Sequence, residues 1–110
     1  MVYLRTSTRN VNLQPNQIMK EIVIISKANC APCVALKQFV STLPECSQEK
    51  VSIMDDENSS EEDRYNIIQS YGLFGFPTII HREAGKDDIA YAGFGANQLN
   101  ELKVYLECKG

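Results

Sequence analysis

Two cysteines that stand three positions apart are the residues of this sequence best suited to chemistry. They belong to the run Cys30-Ala31-Pro32-Cys33, which follows a block of β-branched residues and opens a segment with helical spacing. The free amides and the dipole of a helix N-terminus stabilise a thiolate, the reactive form of cysteine. We therefore expect Cys30 to be exposed with a lowered pKa, and Cys33, one turn further on, to be covered and able to close onto Cys30.

The spacing of this pair fits two kinds of chemistry, redox exchange and metal binding. A dithiol can attack a disulfide with one sulfur and resolve the mixed intermediate with the other, and Pro32, which suits a first helical turn, limits the freedom of the loop. A zinc or iron–sulfur half-site would need two further ligands, for which the candidates are Cys46, Cys108 and His81. None of them repeats Cys-x-x-Cys or stands at a zinc-finger spacing. We predict redox chemistry and no metal site, with an inert pair as a third interpretation.

The other two cysteines and the single histidine are interpreted as structural. Cys46 follows Pro44, Cys108 stands near the end of the sequence, and we expect both to be packing or surface thiols. Whether they form a disulfide stays open, because the sequence does not show the distance between them. His81 lies on a predicted strand, and dithiol exchange needs no histidine. The acids of residues 55–63 are interpreted as a solvated helix start rather than a docking surface.

The cysteine pair lies between two strongly patterned elements. Residues 22–25 form a continuous β-branched run, which predicts a strand buried on both faces. After the cysteines, apolar residues recur at the spacing of one helical face: Leu36, Phe39, Val40 and Leu43. This helix should begin at the cysteine pair and stop by Pro44.

The rest of the chain alternates strands and helices, with serine caps, terminating glycines and a polar hairpin connection as boundaries. The predicted elements are a second buried strand at 51–54, a helix from Ser59 or Ser60 to Gly72, strands at 77–81 and 89–92, and a helix from about Asn97. Towards the start of the chain, a strand at 2–5 and a short helix from Pro15 to about Lys20 are also predicted.

This order of elements predicts a three-layer α/β fold. Strand–helix alternation favours a parallel sheet with helices on both faces, and the hairpin adds antiparallel edge strands, so the central sheet should be mixed. No repeat, low-complexity tract or linker divides the chain. We therefore expect a single domain over residues 1–110.

The composition argues against several classes of protein. Hydrophobic residues make up 44% and charged residues 23%, which are ordinary globular values. A net charge of −3 gives no basic face for nucleic acid. No apolar run approaches the roughly 20 residues that cross a bilayer, and the first residues do not resemble a signal peptide. We expect a cytoplasmic protein that binds neither nucleic acid nor membrane.

A second motif follows the cysteine pair after about forty residues: Tyr71-Gly72-Leu73-Phe74-Gly75-Phe76-Pro77-Thr78. Gly93 and the closing Gln98-Leu99-x-x-Leu102 come later. Together with Cys-x-Pro-Cys, these segments resemble the thioredoxin family over residues 20–106, and weakly over the first 19. The resemblance implies the thioredoxin fold, with a cis Pro77 packed beside the cysteines and the backbone of the preceding residue paired with the substrate. It assigns substrate binding to Ala31, Pro32, Phe76, Pro77 and Gly93.

The sequence departs from the thioredoxins at several positions near the cysteines. Asn29 stands in place of their tryptophan and Ala31 in place of their glycine. Gln38 lies near the position of their helix-kinking proline, and Ile24 replaces an aspartate that they bury beneath the second cysteine. Because isoleucine cannot accept a proton, we expect near-normal attack by Cys30 but slow resolution of the mixed disulfide.

The resemblance implies a thiol–disulfide oxidoreductase that reduces protein disulfides. Its redox-active disulfide would be Cys30–Cys33, with no bound cofactor, and its roles would be electron transport and cell redox homeostasis. An NADPH-dependent flavoprotein reductase would recycle it, and ribonucleotide reductase is an implied client. We expect a monomer, in which Tyr71 or Phe74 shapes the substrate surface in place of the missing tryptophan.

Two alternatives to this function stay open. A glutaredoxin-type, glutathione-dependent reductase would fit the short helix after the cysteines, although residues 75–78 lack the threonine-valine-proline pattern of glutaredoxins. A thioredoxin-fold binding subunit would carry the same cysteines without using them.

Overall fold

The fold is built on a four-stranded mixed sheet. The structure is a computed structural model that describes residues 20–108. The sheet order is β2-β1-β3-β4, with β1 parallel to β2, and with β3 antiparallel to both β1 and β4. The strands are β1 (Lys20–Ile25), β2 (Val51–Met54), β3 (Thr78–Glu83) and β4 (Ile89–Ala92).

Helices cover the sheet, and none in the described range is long and apolar enough to span a membrane. They are α1 (Ala31–Ser41), α2 (Glu45–Gln48), α3 (Glu61–Ser70) and α4 (Ala96–Tyr105). The first, third and fourth confirm the helices predicted from apolar spacing. The sequence does not predict α2, because a single turn is too short to show a period.

β1 is the centre of the core because its side chains are buried on both faces. Ile22 and Ile24 pack with side chains from α1 and α4. Val23 and Ile25 point the other way and pack with Ile68 of α3. Helices therefore lie on both faces of the sheet, which confirms the three-layer α/β prediction and the doubly buried strand at 22–25.

The positions of two strands differ from the predictions. The sequence predicts a buried β2, but among the described residues this strand pairs only with β1, and its side chains are half-buried or exposed. The predicted hairpin is present, but of its two strands β4 lies at an edge of the described sheet and β3 does not. β3 lies inside the sheet because Ile79 and Ile80, which point to opposite faces, are both fully buried.

Predictions for the first residues lie almost entirely outside the described range. The strand at 2–5 and most of the helix at 15–20 cannot be compared with the structure. Lys20, expected at the end of that helix, is the first residue of β1. A single domain over residues 1–110 stays a prediction.

The two boundaries of α3 are those that the sequence predicts. Ser60 is the N-cap, and its hydroxyl accepts a hydrogen bond from the amide of Asp63 at 3.1 Å. At the other end the amide of Leu73 donates to the carbonyl of Ile68 at 3.2 Å, with Gly72 at a φ of 72°. This glycine-dependent helix end turns the chain towards the segment that precedes β3.

A disulfide joins Cys46 in α2 to Cys108, which follows α4, with 6.3 Å between the Cα atoms. The interpretation of both residues as packing or surface thiols is therefore wrong. The hydroxyl of Ser47, buried in α2, donates to the carbonyl of Leu106 at 2.7 Å and lies 3.4 Å from the sulfur of Cys108. Tertiary contacts bring the two cysteines together across 62 positions, which no local pattern signals.

Candidate active site

The cysteine pair lies where β1 passes into α1. Cys30 is the N-cap of α1, with extended backbone at φ −130° and ψ 101°, and Pro32 stands in the first turn. The sulfur of Cys30 accepts a hydrogen bond from the amide of Cys33 at 3.3 Å. It occupies the place that a capping serine or aspartate oxygen takes at other helices. The predicted position at a helix N-terminus is confirmed.

Cys30 and Cys33 form a disulfide with 5.2 Å between the Cα atoms. Cys33 is covered as predicted, at 1% exposure, but Cys30 is only 8% exposed rather than open to solvent. The reason is that the sulfur of Cys30 turns inward, onto the amide and the sulfur of Cys33. Ala31 and Pro32 are exposed and form the open surface next to the sulfurs.

The surroundings of Cys30 suit a negative sulfur. The first turn of α1 holds no acidic residue, so no side chain there offsets the partial positive charge of the helix N-terminus. The amide of Cys33 directs a hydrogen bond at the same sulfur. Both features stabilise a thiolate once the disulfide is reduced.

β3 brings the second motif to the same end of the sheet. Thr78 begins β3 and pairs with Ile25, the last residue of β1, from which the chain continues to the cysteines. The Phe76–Pro77 peptide bond is cis, as the resemblance implies. The amide of Gly93 donates to the carbonyl of Pro77 at 2.8 Å, so these two predicted site residues are neighbours. Direct contact of Pro77 with the sulfurs stays a prediction.

The ring of Phe76 contacts the loop that precedes the cysteines. The ammonium of Lys27 lies 5.2 Å from the centre of this ring, and Tyr65 packs edge-on against it at 5.4 Å. Lys27 belongs to the loop between β1 and the cysteines, so the cation–π contact joins that loop to the segment before β3. Sequence reasoning misses Lys27, because no local pattern signals a contact between positions so far apart.

The backbone of Phe76 makes no hydrogen bond with the backbone of the part of the chain that the structure describes. Both its amide and its carbonyl lack such a partner within residues 20–108, although the residue stands just before β3. Nearby, Phe74 is 77% exposed. Tyr71 is instead half-buried, and its hydroxyl donates to Asp88 at 2.7 Å. Of the two aromatic residues that the sequence suggests for the substrate surface, Phe74 has the free ring.

An isoleucine lies in the core at the position where thioredoxins bury an aspartate. Ile24 is fully buried and packs with Leu36 under α1. The carboxylate of Glu21 accepts a hydrogen bond from Ser52 at 3.0 Å on the surface, and so it points away from this cluster. The site therefore has an apolar floor at position 24, as the sequence predicts.

His81 lies further along β3, away from the end that leads to the cysteines. Its ring centre is 4.8 Å from that of Tyr105 and 5.5 Å from that of Tyr91, whose hydroxyl is 2.9 Å from Nε2. Burial lowers the pKa of His81, against the opposing effect of Glu101. This histidine is part of an aromatic cluster. Within residues 20–108, no group of three or more His, Cys, Asp or Glu side chains is placed to hold a metal ion.

Comparison with known proteins identifies the fold. No family model and no curated protein matches the chain. The C-terminal domain of Neisseria meningitidis DsbD, in its reduced form, is 16% identical with a TM-score of 0.57, over 79% of this chain and 81% of that one. Malassezia sympodialis thioredoxin is 17% identical with a TM-score of 0.54, over 81% and 76%. Plasmodium falciparum thioredoxin is 20% identical with a TM-score of 0.52, over 80% and 82%. The chain has the thioredoxin fold, which confirms the prediction, and identities this low carry the fold alone.

Proposed function

We propose, from the thioredoxin fold and the cysteine pair together, that this chain is a thiol–disulfide oxidoreductase that reduces disulfides in protein substrates. The observation that carries the proposal is the position of Cys30 as the N-cap of α1, with the amide of Cys33 directed at its sulfur at 3.3 Å. A helix N-terminus stabilises the attacking thiolate, and the second sulfur lies within one turn of the first. The electrons reside in the dithiol, so no bound cofactor is needed.

The reaction has two exchange steps. In the first, the thiolate of Cys30 attacks one sulfur of the substrate disulfide, that bond breaks, and the other substrate sulfur leaves as a thiolate that takes up a proton. In the second, Cys33 loses its proton and attacks the sulfur of Cys30. The Cys30–Cys33 disulfide forms, and the second substrate thiol is released. The substrate gains the two electrons that the dithiol loses.

The substrate is proposed to bind as an extended peptide beside Phe76. The backbone groups of this residue have no backbone partner within residues 20–108, and an extended peptide is held by such groups through main-chain hydrogen bonds. The exposed ring of Phe74 offers an apolar contact next to them. The proposed surface consists of Ala31, Pro32, Phe74, Phe76, Pro77 and Gly93.

An NADPH-dependent flavoprotein reductase is the proposed electron donor. Residues 75–78 read Gly-Phe-Pro-Thr, without the threonine-valine-proline pattern with which glutaredoxins bind glutathione. NADPH supplies a hydride through the flavin, solvent supplies the second proton, and the Cys30–Cys33 disulfide is reduced to two thiols. Faster turnover with the flavoprotein reductase than with glutathione would therefore distinguish this protein from a glutaredoxin.

We also propose that the protein is a cytoplasmic monomer whose clients are disulfide-containing proteins, with ribonucleotide reductase as one candidate. The Cys46–Cys108 pair offers a test of the compartment, because persistent disulfides are rare in the cytosol. In the cytoplasm we expect this pair to be reduced. Rapid alkylation of intact cells followed by mass spectrometry would show it, and a persistent Cys46–Cys108 disulfide would contradict the cytoplasmic assignment.

Insulin reduction with defined electron donors tests the function. NADPH with a thioredoxin reductase is one donor system, and NADPH with glutathione and glutathione reductase is the other. We expect faster turnover with the first system and none for Cys30→Ser. Faster turnover with glutathione would identify a glutaredoxin-type enzyme. No turnover with either system or with dithiothreitol, and no cycling of Cys30 and Cys33 in a thiol titration, would identify a binding subunit.

A further inference from the structure

Ser26, the residue that follows β1, carries a buried hydroxyl group. Ser26 is 0% exposed, and its Oγ makes no hydrogen bond within the part of the chain that the structure describes. A buried polar group that lacks a partner costs free energy, so native proteins keep few of them. Such a group calls for an explanation, for instance a partner that it gains in another state of the protein.

Ser26 lies on the face of the sheet that α1 covers. The amides of Ile22 and Ser26 donate to the carbonyls of Lys50 and Met54, at 2.9 and 2.8 Å, so the ladder with β2 is still regular at Ser26. Side chains alternate along a strand, and Ser26 therefore shares a face with Ile22 and Ile24. Those two isoleucines pack against α1.

Cys33 lies on the facing side of α1. Its side chain is buried together with Leu36 and Val40, three and seven positions on, and these two residues pack against Ile24. The chain leaves β1 at Ser26, reaches Cys30 four residues later, and returns along α1. Cys33, in the first turn of the helix, and Ser26, at the end of the strand, therefore occupy the same end of the same layer.

We propose that Ser26 is a positioning residue for the dithiol, whose hydroxyl donates a hydrogen bond to the sulfur of Cys33 when the Cys30–Cys33 disulfide is reduced. Reduction by a dithiol breaks the S–S bond and adds two electrons and two protons, while the reductant becomes a disulfide. The sulfur of Cys33 is then no longer bonded to that of Cys30. It becomes available to the hydroxyl of Ser26, which has no partner within residues 20–108 in the disulfide form.

This inference rests on the proposed function, because it gives Ser26 a task in the same redox cycle. An O–H donor directed at a sulfur favours its thiolate. Ile24 offers no proton acceptor at the floor of the site, whereas the hydroxyl of Ser26 is a polar group that can stabilise Cys33 as it loses its proton.

The equilibrium between the protein and glutathione measures this hydrogen bond directly. Purified protein is equilibrated in glutathione buffers, and alkylated peptides report Cys30–Cys33 separately from Cys46–Cys108. Loss of a bond present only in the dithiol form favours the disulfide. We expect Ser26→Ala to raise the equilibrium constant for disulfide formation about two- to tenfold. Ser26→Gly should shift it in the same direction, and Ser26→Thr, which keeps the hydroxyl, should stay within about twofold of the parent.

Thr78→Val is the matched control, since Thr78 is also fully buried at this end of the sheet. Its hydroxyl donates to the carbonyl of Gly75 at 2.9 Å in the disulfide form. Removing a hydrogen bond that both redox forms make should lower the stability of both forms. The equilibrium constant for disulfide formation should then stay within about twofold of the parent value.

Two results would overturn the proposal. One is an unchanged constant in Ser26→Ala. The other is a loss of thermal stability in Ser26→Ala that is equal in the oxidised and reduced proteins, which would mean that the hydroxyl has a partner such as a water molecule in both. The measurement needs no protein substrate. A protein that fails to reduce insulin yet shows the shift would contradict the proposed function and leave the role of Ser26 intact.

Discussion

The two disulfides of this protein differ in sequence separation, in exposure and in position relative to the helices. Cys30 and Cys33 are three positions apart, 8% and 1% exposed, at the N-terminus of a helix. Cys46 and Cys108 are 62 positions apart, exposed and half-buried, and they join a single-turn helix to the segment after α4. Only the first pair has amides to hold a thiolate and a second sulfur within one turn. Placement thus separates a pair suited to exchange from a pair suited to tethering.

The two disulfides are also expected to differ in how much they contribute to the free energy of unfolding, because they close loops of different length. In the chain-entropy account, a disulfide stabilises the folded state by restricting the unfolded one, and its effect grows with the length of the closed loop. The separation of 62 positions corresponds to about 4 kcal/mol, and the separation of three to about 2 kcal/mol. In the oxidised protein, where the Cys46–Cys108 disulfide is formed, the second pair is therefore expected to contribute mainly to stability.

The largest expected effect is on turnover. Cys30→Ser should reduce insulin reduction to the uncatalysed background, because among the described residues no other cysteine sulfur accepts a hydrogen bond from a backbone amide at a helix N-terminus. Cys46→Ser is the matched control and should keep turnover within about twofold of the parent. Steady-state rates with dithiothreitol as donor check both. Loss of turnover in Cys46→Ser, with Cys30→Ser still active, would reverse the roles of the pairs.

The next largest effect is on stability, for which we expect the Cys46–Cys108 pair to matter more than the Cys30–Cys33 pair. Replacing Cys46 and Cys108 together with serine should lower the free energy of unfolding by about 4 kcal/mol, and replacing Cys30 and Cys33 by about half as much. Denaturant unfolding of the two double variants, without reductant, measures the difference. A larger loss for the variant without Cys30 and Cys33 would contradict the tethering role.

A smaller effect is expected from restoring the missing acid. In Ile24→Asp, burial of a carboxyl group among Leu36 and its neighbours should cost roughly 1–3 kcal/mol or more. If the fold survives, resolution of the mixed disulfide should accelerate and its pH–rate profile should gain an ionisation. Ile24→Asn is the control, because asparagine has a shape similar to that of aspartate but no carboxyl group that could titrate. Equal resolving rates for the parent and Ile24→Asp would show that the missing carboxylate does not limit the reaction.

The smallest expected effect is a pH dependence of stability that arises near the end of α4 and not at Cys30 and Cys33. His81 packs against Tyr105, close to the tethered end of α4, and burial lowers its pKa. The unfolded chain therefore binds a proton more readily, so the stability contributed by neutral His81 is complete above the ordinary pKa of 6.5. It is lost as the pH falls from there towards the lower folded-state pKa.

Unfolding midpoints of the parent and His81→Phe across this pH range test the difference. The parent should lose more stability on acidification than the variant, whereas the equilibrium of Cys30–Cys33 with glutathione at one pH should be the same in both. If the parent and His81→Phe lost the same stability on acidification, His81 would not be the cause of that loss.

Local patterns were sufficient to predict the parts of the fold that positioned the first pair. The run at 22–25 predicted β1, and the apolar spacing after the cysteines predicted α1, because both signals lie within a single element. Two distant motifs predicted the proximity of Pro77 and Gly93 through their resemblance to thioredoxins. The cis bond at Pro77 was predicted in the same way.

The features that escaped prediction depend on contacts between distant parts of the chain. The Cys46–Cys108 disulfide requires the packing of α2 against the end of α4. The internal position of β3 depends on its pairing with β1. The burial of Cys30 is a local exception, because it depends on the direction in which its sulfur turns towards Cys33. The unpartnered hydroxyl of Ser26 is visible only once its neighbours are in place.

The most direct test of the account traps the first exchange step. In Cys33→Ser, the resolving sulfur is absent, so a substrate disulfide attacked by Cys30 cannot be released by the second step. The reduced variant is mixed with insulin, quenched in acid and digested, and mass spectrometry locates the mixed disulfide. The account predicts accumulation of a substrate peptide on Cys30. Accumulation on Cys46 or Cys108 instead, or full turnover of Cys33→Ser with trapping in Cys30→Ser, would contradict it.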